Sequence, residues 1–172
     1  MPTVHLDDKS MAWRALMELH ATIVDAIERQ LHDGGAVPIA WFEVLLRLSR
    51  TPDASMRMQD LAGVLLLSRS GVTRLADRLE TAGLIERRTC ATDRRGTLAV
   101  LTDAGREAIE RAQPLVHGAL DEHFARHVSK ADARSLRSIL EHVLAASRCA
   151  RADGASATTS HGIAPLRRGI AT

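Results

Sequence analysis

The chain has 172 residues and a mass of 18.7 kDa, which suits one compact domain or a domain with an appended helical arm. Its 23 Lys and Arg nearly balance 21 Asp and Glu, 45% of it is apolar, and only 2% is aromatic. Four scattered rings cannot build the stacking platforms of a single-strand nucleic-acid binder, no apolar run reaches the roughly 18 residues of a membrane span, and Cys90 and Cys149 make neither a disulfide framework nor a four-ligand zinc site.

In chain order, Trp13, Leu16, Met17, Ile23, Val24, Ile27 and Leu31 recur at helical spacing. They predict a first helix over 10–31, with Ser10 as its cap and Gly34-Gly35 as its stop. Pro38 opens a second helix over 39–49, with Phe42, Leu45, Leu46 and Leu48 inside, and Thr51-Pro52-Asp53 is a turn. Two closely spaced helices follow near 59–65 and 70–81, the latter stopped by Gly83. The pattern then changes to period two over 84–89 and 97–101, around a polar turn from Cys90 to Gly96, which predicts a β-hairpin with a charged tip. Thr102 or Asp103 caps a long helix reaching about 127 and bent near Pro114. Ser129 with Asp132 forms a capping box for a last helix to about 147. Periodicity then fades, and 149–172 reads as a disordered tail. The predicted order is α-α-α-α-β-β-α-α, mostly α with a small β-hairpin. The polar, acidic residues 1–9 do not read as a signal peptide, and the expected location is cytoplasmic.

Charge is unevenly placed. Residues 1–67 hold 6 basic and 9 acidic residues, 68–96 hold 7 and 4, and 97–172 hold 10 and 8. The densest positive balance therefore comprises Arg69, Arg74, Arg78, Arg87, Arg88, Arg94 and Arg95, either a solvated surface or an electrostatic footprint for a polyanion. Only Lys9 and Lys130 are lysines. The arginine bias fits a GC-rich genome, and arginine also suits phosphate and base-edge recognition.

Residues 58–79 fit a helix-turn-helix. Ala62 is the small residue where the helices cross, and Leu61, Val72, Leu75 and Leu79 lock the second helix down. Leu66-Leu67 stand near the turn, where glycine is usual. Ser68, Arg69, Ser70, Thr73, Arg74, Asp77 and Arg78 are left on the outer face. Short polar side chains and arginine at the start of such a helix are what the major groove of duplex DNA accepts. A charged hairpin bearing Asp93, Arg94 and Arg95 directly after that helix reads as the wing of a winged helix, with an arginine able to enter a narrow minor groove. Asp93 would hold an arginine in its rotamer rather than touch DNA.

The run from Leu67 to Leu75, then Asp77-Arg78-Leu79-Glu80, Gly83-Leu84-Ile85-Glu86-Arg87, Asp93-Arg94-Arg95-Gly96 and Leu101-Thr102-Asp103-Ala104-Gly105, resembles the multiple-antibiotic-resistance regulator (MarR) family in order and spacing. The resemblance covers about 10–147. It implies a homodimeric winged helix-turn-helix repressor of pseudo-palindromic duplex DNA, often released by a small phenolic ligand. It further implies that 10–36 and 103–148 form a helical dimerisation arm, that 37–102 form the DNA-binding lobe, and that Asp93 and Arg95 are the wing residues. No cofactor and no enzymatic activity are expected.

Candidates for a ligand site between arm and lobe are Arg14, His20, Trp13 and Trp41. Arginine would pair a carboxylate and histidine a ring hydroxyl, as in family members that bind aromatic carboxylates. The same residues also fit plain structural roles: Arg14 and Glu18 stand i,i+4, and both tryptophans and His20 suit core or interface positions. Two other sensor readings are a metal site at His123 and His127 beside Glu122, and a thiol at Cys90 near Arg87 and Arg88. An architectural DNA-binding protein without ligand control is a further alternative.

Overall fold

A computed structural model of the chain describes residues 7–65, 69–90 and 93–157. The chain divides into two compact units, one reaching Arg126 and the other starting at His127.

In the first unit, helix α1 (Asp8–Asp33) starts two residues earlier than its apolar pattern predicts. The cap is Asp7 and not Ser10: its carboxylate accepts from the Ser10 amide at 2.9 Å. The Ser10 side chain and amide together hold the Asp7 carboxyl below its ordinary 3.8. Only the C-terminal half of α1 enters the core, through Ala26, Ile27 and Leu31, and the helix packs against α5 (Asp103–His123). In the other half Met11, Trp13, Met17 and Leu19 remain exposed. Gly34 caps the helix, and Gly35 reverses the chain at a φ of 63°. Helix α2 (Ile39–Ser49) begins after Pro38, which offers no capping side chain. Glu28 of α1 supplies the missing acceptor, taking the Ile39 amide at 3.2 Å. Phe42, Val44, Leu45 and Leu48 of α2 are buried, each worth roughly 1.5–3 kcal/mol in removed apolar surface.

The chain next forms a strand that the period-two pattern does not reveal. Ala54 takes a φ of 47°, a left-handed conformation costing an L-residue about 1–2 kcal/mol, and its carbonyl accepts from the Leu101 amide at 2.9 Å. Strand β1 (Ser55–Arg57) then pairs antiparallel with β3 (Asp93–Leu101), Met56 opposite Ala99. Three residues cannot display an alternation, so only the partner strand defines this one. Strand β2 (Ile85–Cys90) pairs on the other side of β3, giving the antiparallel order β1-β3-β2. The hairpin is tighter than a seven-residue turn. Pairing continues to Cys90 opposite Asp93, with an irregularity between Thr89 and Cys90. Asp93, Arg94, Arg95 and Gly96 thus belong to the β3 backbone and not to a loop, because the register shift lets the ladder run almost to the reversal.

Between β1 and β2 stand helices α3 (Met58–Leu65) and α4 (Arg69–Thr81). Leu61, Val72, Ala76 and Leu79 are buried and Leu75 is partly so, which locks the two together as the pattern predicts. Gly83 ends α4 at a φ of 72°, while the Leu84 amide donates to Leu79 O and the Gly83 amide to Glu80 O, the paired bonds of a Schellman cap. Helix α5 (Asp103–His123) runs unbroken through Pro114 and stops short of the predicted end. No Gly or Pro signals that stop; Phe124 leaves helical geometry at φ −142°, and a 3-10 turn (Ala125–His127) follows. Among the described residues no helix is long and apolar enough to cross a membrane.

The second unit holds helix α6 (Lys130–Ala157). Ser129 Oγ accepts from the Asp132 amide at 3.1 Å, the N-cap half of the predicted capping box, and its hydroxyl donates to the Asp132 carboxylate at 2.6 Å. The helix passes the predicted end near 147, so residues 149–157 are helical and not a tail; the rest of the predicted tail, 158–172, lies outside the described residues. Alanines 150, 152, 155 and 157 sustain it without a periodic apolar face. No described residue of α6 is buried, and Ile139, Val143 and Leu144 are 60%, 53% and 51% exposed.

The backbone is approached closely at Gly105, where a Cβ would lie 2.2 Å from Leu84 O and 2.6 Å from Leu101 Cδ1. Gly105→Ala is expected to cost about 1–3 kcal/mol in urea unfolding, as overpacking does. At Gly63 a Cβ meets nothing within 4 Å, so Gly63→Ala is expected to stabilise by roughly 0.5–1 kcal/mol.

Candidate nucleic-acid interface

Helix α4 separates its two kinds of residue cleanly. Val72, Ala76 and Leu79 recur at i, i+4 and i+7 and are buried, which turns Ser70, Thr73, Arg74, Asp77 and Arg78 outward. Of the predicted groove-facing residues, Ser68 lies outside the described residues, and Arg69 is the first residue of α4. Asp93, Arg94 and Arg95 open β3 directly after the hairpin reversal, so the strand order carries them to the end of the wing.

The positive stretch is less uniformly available than its arginine count suggests. Arg88 pairs with Glu86 on its own strand. Arg87 crosses from β2 to α4, where its Nη2 meets Asp77 Oδ1 at 2.7 Å and donates to Thr73 O at 3.2 Å. Its Nη1 lies 3.6 Å from Glu80 Oε2, and its amide donates to Glu80 Oε1 at 3.1 Å. Arg74 and Arg78 are exposed and join none of the ion pairs among the described residues. The acid pair Asp77 and Glu80, three apart on one helix and followed by an arginine on the next strand, was the sequence signal for this cluster; a segment charge sum hides it.

A cleft of about 440 Å³ lies between α4 and the sheet, lined by Arg57, Thr73, Arg87, Gly96 and Thr97 among others. A second, of about 390 Å³, lies between α2 and the end of α4, lined by Trp41, Asp77, Arg78, Thr81 and Ala82. Trp41 thus packs on the core and borders a cleft. Arg14 and His20 are exposed on α1, Trp13 is 61% exposed, and none of the three lines either cleft. Of the four candidate ligand residues, Trp41 alone lines one of these two clefts, and the first half of α1, which carries the other three, is uncovered. The metal reading needs His123 and His127 on one helical face; α5 ends at His123, and His127 belongs to the 3-10 turn that follows, so no single α-helix carries both. Among the described residues no group of three or more His, Cys, Asp or Glu is disposed to hold a metal. Cys90 closes β2, at the register irregularity.

The family model described as the MarR family matches residues 37–96, from the approach to α2 into β3. The crystal structure of AbsC, a MarR family transcriptional regulator from Streptomyces coelicolor, is 31% identical, with 85% of this chain and 99% of that one covered at a TM-score of 0.77. The chain belongs to the MarR family. A second MarR-family regulator from Streptomyces coelicolor, Sco3205, solved in complex with DNA, is 28% identical over 84% of this chain and 90% of its own, at a TM-score of 0.75. The transcriptional repressor MprA of Escherichia coli (strain K12) is 30% identical over 109 residues, 63% of this chain. That match spans 61% of MprA, less than two thirds of its length. The MarR-family relatives are transcriptional regulators and not enzymes, in line with the non-enzymatic reading of the sequence.

Proposed function

We propose that this MarR-family chain is a transcriptional repressor that binds a pseudo-palindromic site in double-stranded DNA as a homodimer in the cytoplasm. The observation that carries the reading is the outward face of α4, where Ser70, Thr73, Arg74 and Arg78 are exposed next to a hairpin led by Asp93, Arg94 and Arg95. Ser68, Arg69, Ser70 and Thr73 would stand at base edges or phosphates at the start of the helix, where the backbone dipole also favours a phosphate. Arg74 and Arg78 would extend that contact along the helix. Arg95, flanked by Arg94 and oriented by Asp93, would enter the minor groove beside it. The Sco3205 structure with DNA and the repressor MprA support the partner and the sign of regulation.

The homodimer is supported by apolar surface that each unit leaves uncovered. Met11, Trp13, Met17 and Leu19 on α1 are exposed, as are Ile139, Val143 and Leu144 on α6. A second copy of the chain would cover these surfaces and set two α4 helices about one duplex turn apart, roughly 10 bp. A small aromatic or phenolic carboxylate is the proposed releasing ligand, held by Arg14, His20, Trp13 and Trp41. Trp41 supports this, since it lines a cleft directly against α4 and Arg78.

Footprinting with DNA upstream of the protein's own gene tests the reading. A single protected palindrome is expected, whereas even coating would favour an architectural protein. Sedimentation should give twice the 18.7 kDa chain mass. Arg95→Ala should abolish most specific binding while the dimer persists, and an unchanged gel shift would remove the wing from the interface. Arg74→Ala should weaken binding and lower the slope of log affinity against log salt by about 0.9 if it touches one phosphate. Thermal shifts with a panel of aromatic acids should shrink in Arg14→Ala, and equal shifts in both proteins would take Arg14 out of the ligand site.

A further inference from the structure

We propose that Arg87 is a positioning residue for DNA recognition, fixing the orientation of α4 against the wing without touching DNA. The inference rests on the DNA-binding reading above. The guanidinium leaves β2 and engages three groups on α4: the Asp77 carboxylate at 2.7 Å, the Thr73 carbonyl at 3.2 Å and the Glu80 carboxylate at 3.6 Å. The Arg87 amide adds a fourth tie, to Glu80. Thr73, Asp77 and Glu80 stand at i, i+4 and i+7, so all of these ties fall on one stripe of the helix. Ser70, Arg74 and Arg78 form the neighbouring stripe, roughly a quarter-turn away at 100° per residue. The orientation of the first stripe therefore dictates where the second one points.

The residue type matters. A planar fork reaches several oxygens at once in a fixed geometry, and the point charge of a lysine does not. The Arg87 side chain is 26% exposed, so its pairs are screened less than those of a fully solvated arginine. Its Nε is buried without a hydrogen-bond partner, a cost accepted while the far end of the side chain meets its acceptors. Charge supplies a second argument. Two carboxylates beside a DNA-reading stripe repel phosphate. Removing one should strengthen binding to any duplex if charge were all that counted, and should weaken selective binding if the carboxylate anchors the helix.

The experiment uses the full chain and the duplex it enriches from a random-sequence pool. Kd is measured for that duplex and for a shuffled one of equal composition, over a series of salt concentrations. Asp77→Asn, at a side chain 53% exposed, is the central variant, accompanied by Arg87→Met and Arg87→Lys, with thermal midpoints for all three. Asp77→Asn is expected to weaken the selected duplex about tenfold, the equivalent of roughly one base contact, while shuffled binding holds or tightens. Arg87→Met should show the same selective loss at an unchanged salt slope, and Arg87→Lys should recover only part of it. The proposal is overturned if Asp77→Asn tightens both duplexes alike. It is equally overturned if Arg87→Met weakens both equally with a slope about 0.9 smaller, the mark of a direct phosphate contact. Wild-type affinities throughout also overturn it. If the wild-type chain enriches no duplex, the DNA-binding reading fails and takes the positioning role with it; enrichment with unaffected variants sinks the positioning role alone.

Discussion

The first unit depends on the close approach of two chain segments, 83–84 and 101–105. Within a few ångströms, the Leu84 amide closes the cap of α4, the Leu84 carbonyl accepts from Thr102 N, and the Thr102 hydroxyl donates to Gly83 O while accepting from Gly105 N. The Leu101 amide reaches the turn before β1 in the same region. One small patch thus joins the end of the exposed helix, the base of the hairpin, the third strand and the start of α5. Only a residue without Cβ fits at 105, because the Leu84 carbonyl already occupies that space. The hydrogen bonds are individually modest, roughly 0.5–1.5 kcal/mol net, yet a change in any one displaces groups belonging to four elements.

Much of this organisation is written in local signals. The apolar spacing of α1, α2 and α4, the stops at Gly34-Gly35 and Gly83, and the Ser129 cap each rest on a few neighbouring residues, and the structure carries the helices, the stops and the cap, although only the second half of the α1 spacing is buried. The remaining features depend on residues distant in sequence. β1 exists because β3 is beside it. The true reach of the hairpin depends on a register shift, and α5 ends at a phenylalanine that carries no stopping signal. Asp7 replaces Ser10 as the first cap, since either residue can serve and only the geometry of the first turn chooses. The outward face of α4 was legible from its buried face by subtraction. The role of Arg87 was not, since its partners stand on another element.

Placement matters more than total charge in this chain. A net formal charge of +2 would describe many unrelated proteins. Within 68–96, some arginines are matched by carboxylates on the same small scaffold, as Arg87 is by Asp77 and Glu80, whereas Arg74 and Arg78 face outward. Internal matching keeps the helix and hairpin registered to each other and leaves the remaining cations with a defined direction. A field built this way is more selective than the same number of charges on mobile side chains, because its shape is held by the fold.

The scarcity of aromatic residues gives the chain a further property. It has no tyrosine and only two tryptophans, and these sit in unlike surroundings. Trp13 projects from the uncovered half of α1, while Trp41 is packed on the core beside the last turn of α4. Covering α1 would dehydrate the first indole, and shifting α4 would change the neighbours of the second. The protein therefore carries two built-in optical reporters, one responsive to whatever covers α1 and the other to the environment at the end of α4, with no third chromophore of the kind to blur them.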